Sequence, residues 1–182
     1  TSSAAKAIYR FDEGDASMTG LLGGKGSNLC EMVSLGLPVP PGFVISTQVC
    51  HDFHALGNRL PEGLMEGVKS NVHQLEKSLG RNFGSASDPL LLSVRSGAQV
   101  SMPGMMDTIL NLGINDEIVK GLAAMMGDPR PAYDAYRRFL QIFAEVVLEV
   151  PAETFEGILA SHKGKAGVEL DYQLSDVQLR DI

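Results

Sequence analysis

The run Leu22-Gly23-Gly24-Lys25-Gly26-Ser27-Asn28 carries the strongest chemical signal in this sequence. Glycines let backbone N–H groups crowd around an anion, a helix N-terminus adds partial positive charge, and Lys25 supplies a full one. Those are the parts of a phosphate cradle. The spacing is not that of a Walker A loop, which needs four residues between its first glycine and the Gly-Lys-Ser/Thr group. The same residues also make a plain glycine turn with a solvated lysine, and residue types do not separate the two readings. Arg95 closes the apolar run Leu90-Leu91-Leu92-Ser93-Val94, and a guanidinium at a strand end presents a rigid fork suited to phosphate. A structural ion pair is the other use of such an arginine. In Ser101-Met102-Pro103-Gly104-Met105-Met106-Asp107, methionines flank a Pro-Gly turn, and soft side chains suit a flap or an adenine-contacting surface as well as core filling. His51 and His54 can share a helix face but have no third ligand, which favours solvated histidines over a metal site. Lys163 and Lys165, straddling Gly164, read as an exposed turn.

These residues need elements to position them. Apolar spacing turns helical after Gly24, with Leu29, Met32 and Val33 running to a stop at Gly36 and Pro38. Pro38, Pro40, Pro41 and Gly42 form a connector into Phe43-Val44-Ile45, expected as a buried strand, and Thr47 is placed to cap a short second helix. Leu64, Val68, Val72, Leu75 and Leu79 make one continuous stripe, and Gly80 comes next, where a helix C-terminus tolerates positive φ. Leu90 to Val94 reads as a strand covered on both faces, and a second strand is expected at Thr108 to Leu112. The twelve residues between Arg95 and Thr108 read as a loop, where function commonly resides. Beyond residue 113 the pattern is helical: Ile118, Leu122 and Met125, then a longer stripe from Ala132 to Val150 ended by Pro151. Ser175-Asp176-Val177-Gln178 is a capping box that announces a further helix. We expect an α+β chain, with an α/β part over residues 1–112 and a helical, incomplete part over 113–182.

Composition bounds the partners. Hydrophobic residues make up 44% and charged residues 20%, the balance of a globular chain. A net charge of -7 without a concentrated basic face excludes a nucleic-acid partner from expectation. No apolar run approaches a membrane span of about 18 residues, and the first residues lack a signal core, so no membrane partner is expected. Cys30 and Cys50 lack zinc or redox spacing, which suggests a reducing compartment. A cytoplasmic setting is expected, with plastid and glycosome left open.

Leu-Leu-Gly-Gly-Lys-Gly-Ser-Asn-Leu, Gly-Leu-Pro-Val-Pro-Pro-Gly-Phe, Ser-Val-Arg-Ser-Gly-Ala and Ser-Met-Pro-Gly-Met-Met-Asp-Thr-Ile-Leu-Asn-Leu-Gly succeed one another in an order that resembles the start of the pyruvate phosphate dikinase family. Tyr133-Asp134-Ala135-Tyr136-Arg137-Arg138-Phe139 fits as well. The first two segments also resemble phosphoenolpyruvate synthase, but residues 101–108 favour the dikinase. A glucan-directed dikinase lacks the Met-Pro-Gly-Met-Met segment.

The resemblance implies an ATP-grasp-type nucleotide-binding region, here incomplete, and an enzyme, a phosphotransferase with paired acceptors. The whole enzyme of that family interconverts ATP, phosphate and pyruvate with AMP, pyrophosphate and phosphoenolpyruvate through a phosphohistidine. By resemblance Lys25 and Arg95 are catalytic phosphate contacts, and Gly23, Gly24, Gly26, Met102, Gly104 and Asp107 join them in nucleotide binding. ATP, Mg²⁺ and a monovalent cation are implied as cofactors, with the Mg²⁺ ligands in a later subdomain. A phosphohistidine domain and a pyruvate-binding barrel on the same polypeptide, and a homodimeric whole enzyme, are implied as partners. The 182 residues alone are expected to be inactive. A non-catalytic nucleotide-binding fragment is the competing reading.

Overall fold

The structure is a computed structural model in which residues 6–97 and 108–182 are described. Met102, Gly104 and Asp107, with the rest of the methionine-rich segment, lie outside the described residues. Contacts divide the chain into two units. The first holds the residues up to Gly80, with Ser96 and Gly97, and the second holds Arg81–Arg95 and the residues from 108 onward. By contacts the first unit runs to Gly80, and the strand ending at Leu112 packs on a helix of the second unit.

Among its described residues the first unit has two short strands and three α-helices: β1 (Ile8–Arg10), α1 (Thr19–Ser34), β2 (Phe43–Ile45), α2 (Thr47–Ala55) and α3 (Leu64–Leu79). β1 and β2 pair antiparallel, with Ile8 opposite Ile45 and Arg10 opposite Phe43. Ile8, Val49 and Leu64 form its buried cluster, on which Phe43 and Val68 pack. α3 ends at Gly80, whose φ of 63° is left-handed as the sequence suggests. β2 is only half buried and Ile45 is exposed, which corrects the expectation of a buried strand. Thr47 is not the cap of α2. Ser46 occupies the N-cap position, and the Thr47 hydroxyl donates to the Gly20 carbonyl of α1 at 2.8 Å.

The second unit holds β3 (Leu92–Arg95), β4 (Thr108–Leu112), α4 (Ile118–Met126), α5 (Pro129–Val147), α6 (Ala152–Ala166) and α7 (Asp176–Arg180). β3 and β4 are antiparallel. Leu92 faces Leu112 whereas Val94 faces Ile109, so β4 carries one extra residue. Asn111 absorbs it with φ 59°, a left-handed conformation that asparagine tolerates. β3 is not covered on both faces as its apolar run suggests. Ser93, Val94 and Arg95 are exposed, and the buried residue of that run is Leu90, ahead of the strand. The core comprises Ile114, Ile118, Val119 and Ala132, with Leu122, Tyr136 and Phe139 against it. α5 starts with Asp128 accepting from the Arg130 amide and a proline at its first position, a favourable N-terminus.

Lys163 and Lys165 lie in α6, not in a turn, and Lys163 is bound to Asp171 at 2.9 Å. At α7, Ser175 Oγ accepts from the Gln178 amide and Gln178 Oε1 accepts from the Ser175 amide, which is the capping box read from the sequence.

At Gly121 of α4 the helix lies close against the Ala86 main chain. A Cβ built there would collide with the Ala86 carbonyl oxygen, so an added methyl must displace main chain. Gly121→Ala is expected to destabilise the protein by about 3 kcal/mol, at the upper end of overpacking costs and despite the better helix propensity of alanine. Urea unfolding of the variant checks this.

Candidate functional site

Gly23 determines the local shape of the lysine-bearing segment. Its φ of 70° and ψ of 165° break α1 into two helical pieces, in a region of backbone space open essentially to glycine alone. The helix therefore restarts at Gly24. Gly24, Lys25 and Gly26 occupy the first turn of the new piece, where helical amides seek acceptors and the dipole favours an anion.

The three residues differ in surroundings. A Cβ on Gly24 would meet no described residue within 4 Å. A Cβ on Gly26 would lie 3.1 Å from both Val44 methyls, so Gly26 lets the helix seat on β2. Lys25 is half buried and forms no ion pair among the described residues. A lysine left without a protein carboxylate is available to an external one or to a phosphate.

The back of the segment is held by hydroxyls. Ser27, 1% exposed, donates from Oγ to the Gly23 carbonyl at 2.9 Å, and Thr19 Oγ1 lies 3.2 Å from Ser27 Oγ. Thr47 reaches the turn from α2 through the Gly20 carbonyl. The sequence reads Thr47 only as a helix cap and gives Ser27 no role of its own within the glycine-lysine run. The available signal was a serine four residues after a glycine whose carbonyl it can reach. Cys30, further along α1, is buried beside Gly14, and burial pushes its thiol up, with the Asp15 carboxylate adding to the rise. Such a thiol stays protonated and is no nucleophile.

Arg95 ends β3 opposite Thr108, exposed and without an ion pair among the described residues. It lies in the second unit and Lys25 in the first. His51 and His54 are both exposed along α2. Among the described residues no three His, Cys, Asp or Glu side chains cluster as a metal site, and no helix is long and apolar enough to cross a membrane. A cleft of about 330 Å³ between the 39–43 connector, α1 and α3 of the first unit is lined by Arg10, Phe11, Asn71 and Leu75 and includes neither Lys25 nor the three glycines.

Residues 19–62, from the first turn of α1 through α2, match the family model of the pyruvate phosphate dikinase AMP/ATP-binding domain. The matched stretch of this α+β chain contains Gly23, Gly24, Lys25 and Gly26. The whole chain matches pyruvate phosphate dikinases. It is 50% identical to the pyruvate, phosphate dikinase of Entamoeba histolytica over 175 residues, 96% of this chain. The figures are 48% over 178 residues for the enzyme of Clostridium symbiosum and 49% over 183 residues for the chloroplastic enzyme 1 of Arabidopsis thaliana, 98% of this chain in both cases. The chain spans only 19–20% of the length of these relatives.

Proposed function

We propose that this chain is the nucleotide-binding part of a pyruvate phosphate dikinase, and that the glycine turn and Lys25 of the first unit contact the phosphates of ATP. Its whole reaction would convert ATP, phosphate and pyruvate into AMP, pyrophosphate and phosphoenolpyruvate, and the reverse, by way of a phosphohistidine carried elsewhere on the polypeptide. The observation that supports this reading is a coincidence. The segment matched by the AMP/ATP-binding model contains the Gly23 break that presents Lys25 in the first turn of a helix. Arg95 is proposed as a second phosphate contact, and Met102, Gly104 and Asp107 as nucleotide contacts.

In this reading the protein's contribution is electrostatic positioning. The glycine amides and Lys25 bind the phosphate oxygens and oppose the charge that grows as the phosphoryl group leaves. Mg²⁺ and a monovalent cation are proposed for the whole enzyme, where a metal would screen phosphate charge. The described residues here do not cluster as ligands, so no step is assigned to a metal held by this chain. A homodimeric whole enzyme and a cytoplasmic or plastid setting belong to the same proposal; the relatives include chloroplastic enzymes.

Half a cleft binds weakly, because the open side leaves adenine and ribose solvated and the charges in high dielectric. The isolated 182 residues are expected to bind ATP no better than the high-micromolar range, roughly -4 to -5.5 kcal/mol, and to form no AMP. Exposed Val94 and Leu110 on the two strands of the second unit should make the piece prone to aggregate. Titration calorimetry with ATP checks the affinity. A submicromolar value would mean that these residues form the complete site.

A further inference from the structure

We propose that Ser27 and Thr47 are positioning residues, which hold the broken turn of α1 in the one shape that aims Lys25 and the restarted helix at the nucleotide phosphates. The inference rests on the nucleotide-binding reading of this segment. Its starting point is that glycine permits the Gly23 conformation without specifying it. Thr19-Gly20-Leu21-Leu22-Gly23-Gly24-Lys25-Gly26 contains four glycines, each of which widens the set of backbone states the segment can visit. A turn of that composition must be fixed from outside its own backbone.

Two hydroxyls do so from different elements. Ser27, one turn beyond the break, donates to the Gly23 carbonyl at 2.9 Å and lies 3.3 Å from the Gly24 carbonyl. Thr19 Oγ1, 3.2 Å from Ser27 Oγ and 3.0 Å from the Ala16 carbonyl, extends the chain of hydroxyls to the residues before the break. Thr47, at the start of α2, donates to the Gly20 carbonyl at 2.8 Å. Ser27 thus ties the break to the restarted half of α1, and Thr47 ties the piece before the break, at Gly20, to a second helix. Lys25 lies between the two residues that this bond joins, Gly23 and Ser27. A change in the Gly23 peptide plane therefore rotates the lysine away from its ligand.

A second buried hydroxyl in the same unit, that of Ser46, supplies the control. Ser46 Oγ is buried without a hydrogen-bond partner among the described residues, so it makes no hydrogen bond to any of the glycines. Its loss removes a hydroxyl of the same kind without touching the turn.

The test uses the full-length enzyme that carries this chain and reads its two half-reactions separately: AMP formation from ATP, and exchange between pyruvate and phosphoenolpyruvate. Ser27→Ala and Thr47→Val are each expected to raise the KM for ATP in AMP formation by about tenfold, the scale of one hydrogen bond. The pyruvate exchange should be unchanged. Thr47→Ser, which keeps the hydroxyl, should restore the KM to within about threefold, and Ser46→Ala should leave it within about twofold. Should Ser27→Ala fail to fold, the Thr47 pair carries the test alone. Unchanged KM in both Ser27→Ala and Thr47→Val, or an equal loss in the two half-reactions, overturns the inference. If Lys25→Ala forms AMP at the normal rate, it is the nucleotide-binding reading that falls. Impaired Lys25→Ala with normal Thr47→Val and Ser27→Ala overturns the positioning role alone.

Discussion

A full-length enzyme carrying Lys25→Ala is expected to form AMP from ATP about 10² to 10³ times more slowly, the cost of removing one preorganised electrostatic contact. Its exchange of pyruvate with phosphoenolpyruvate should proceed unchanged. The effect should be large because the lysine is half buried at the first turn of a helix, with no ion-paired carboxylate among the described residues to compete for it. Gly24→Ala separates ligand approach from packing. No described residue lies within 4 Å of its new methyl, so a fall in ATP affinity would report that the phosphates come close to the backbone there. Arg95→Ala should lower the same half-reaction by a similar factor. An Arg95→Ala enzyme that phosphorylates its histidine from ATP at the normal rate would remove Arg95 from the site and leave Lys25 in it.

Asp134→Ala is expected to destabilise the protein by about 3–5 kcal/mol, the cost of leaving a buried charge unpaired. Arg137 is only 8% exposed and donates to Asp134 at 3.0 Å, while Arg138 also binds the Asp134 carboxylate. The remaining partners of Arg137 are Gln141 at 3.2 Å and Asp171, half exposed, at 3.6 Å. Neither replaces the lost carboxylate, and Arg137 Nε is already buried without a partner among the described residues. Thermal or urea unfolding measures the loss. Removing both charges, as Asp134→Leu with Arg137→Met, should cost less than Asp134→Ala alone, because no uncompensated ion then remains. A single-variant loss below about 1 kcal/mol would show that Asp171 neutralises the arginine by itself.

Legibility in the sequence tracked the range of the forces involved. α3, its Gly80 terminus and the capping box of α7 were readable because each is decided within a few neighbouring residues. β1 was not readable: Ile8–Arg10 is three residues long and is a strand because β2 pairs with it. α6 escaped because Gly157 and Gly164 interrupt it and its apolar residues form no single stripe, so Lys163-Gly164-Lys165 looked like a turn. The exposure of β3 was hidden for the opposite reason, since a run of leucines implies burial that only packing can confirm. At the candidate site the glycines and Lys25 stood out as a local pattern. The Thr47 hydroxyl did not, because it meets Gly20 across a separation of 27 residues.

The pairing of Arg95 with Thr108 has a consequence for how this region can diversify. Cross-strand partners in an antiparallel ladder stand roughly 5 Å apart, so the two ends of the twelve-residue connection are already brought together by the strands. The ladder has met the polymer cost of closing that ring, and this cost grows only logarithmically with contour length. Doubling the connection to about twenty-four residues would add roughly 0.6 kcal/mol. Insertions and deletions between residues 96 and 107 therefore cost the fold little in chain entropy, and selection on the length of this segment has to come from what it contacts.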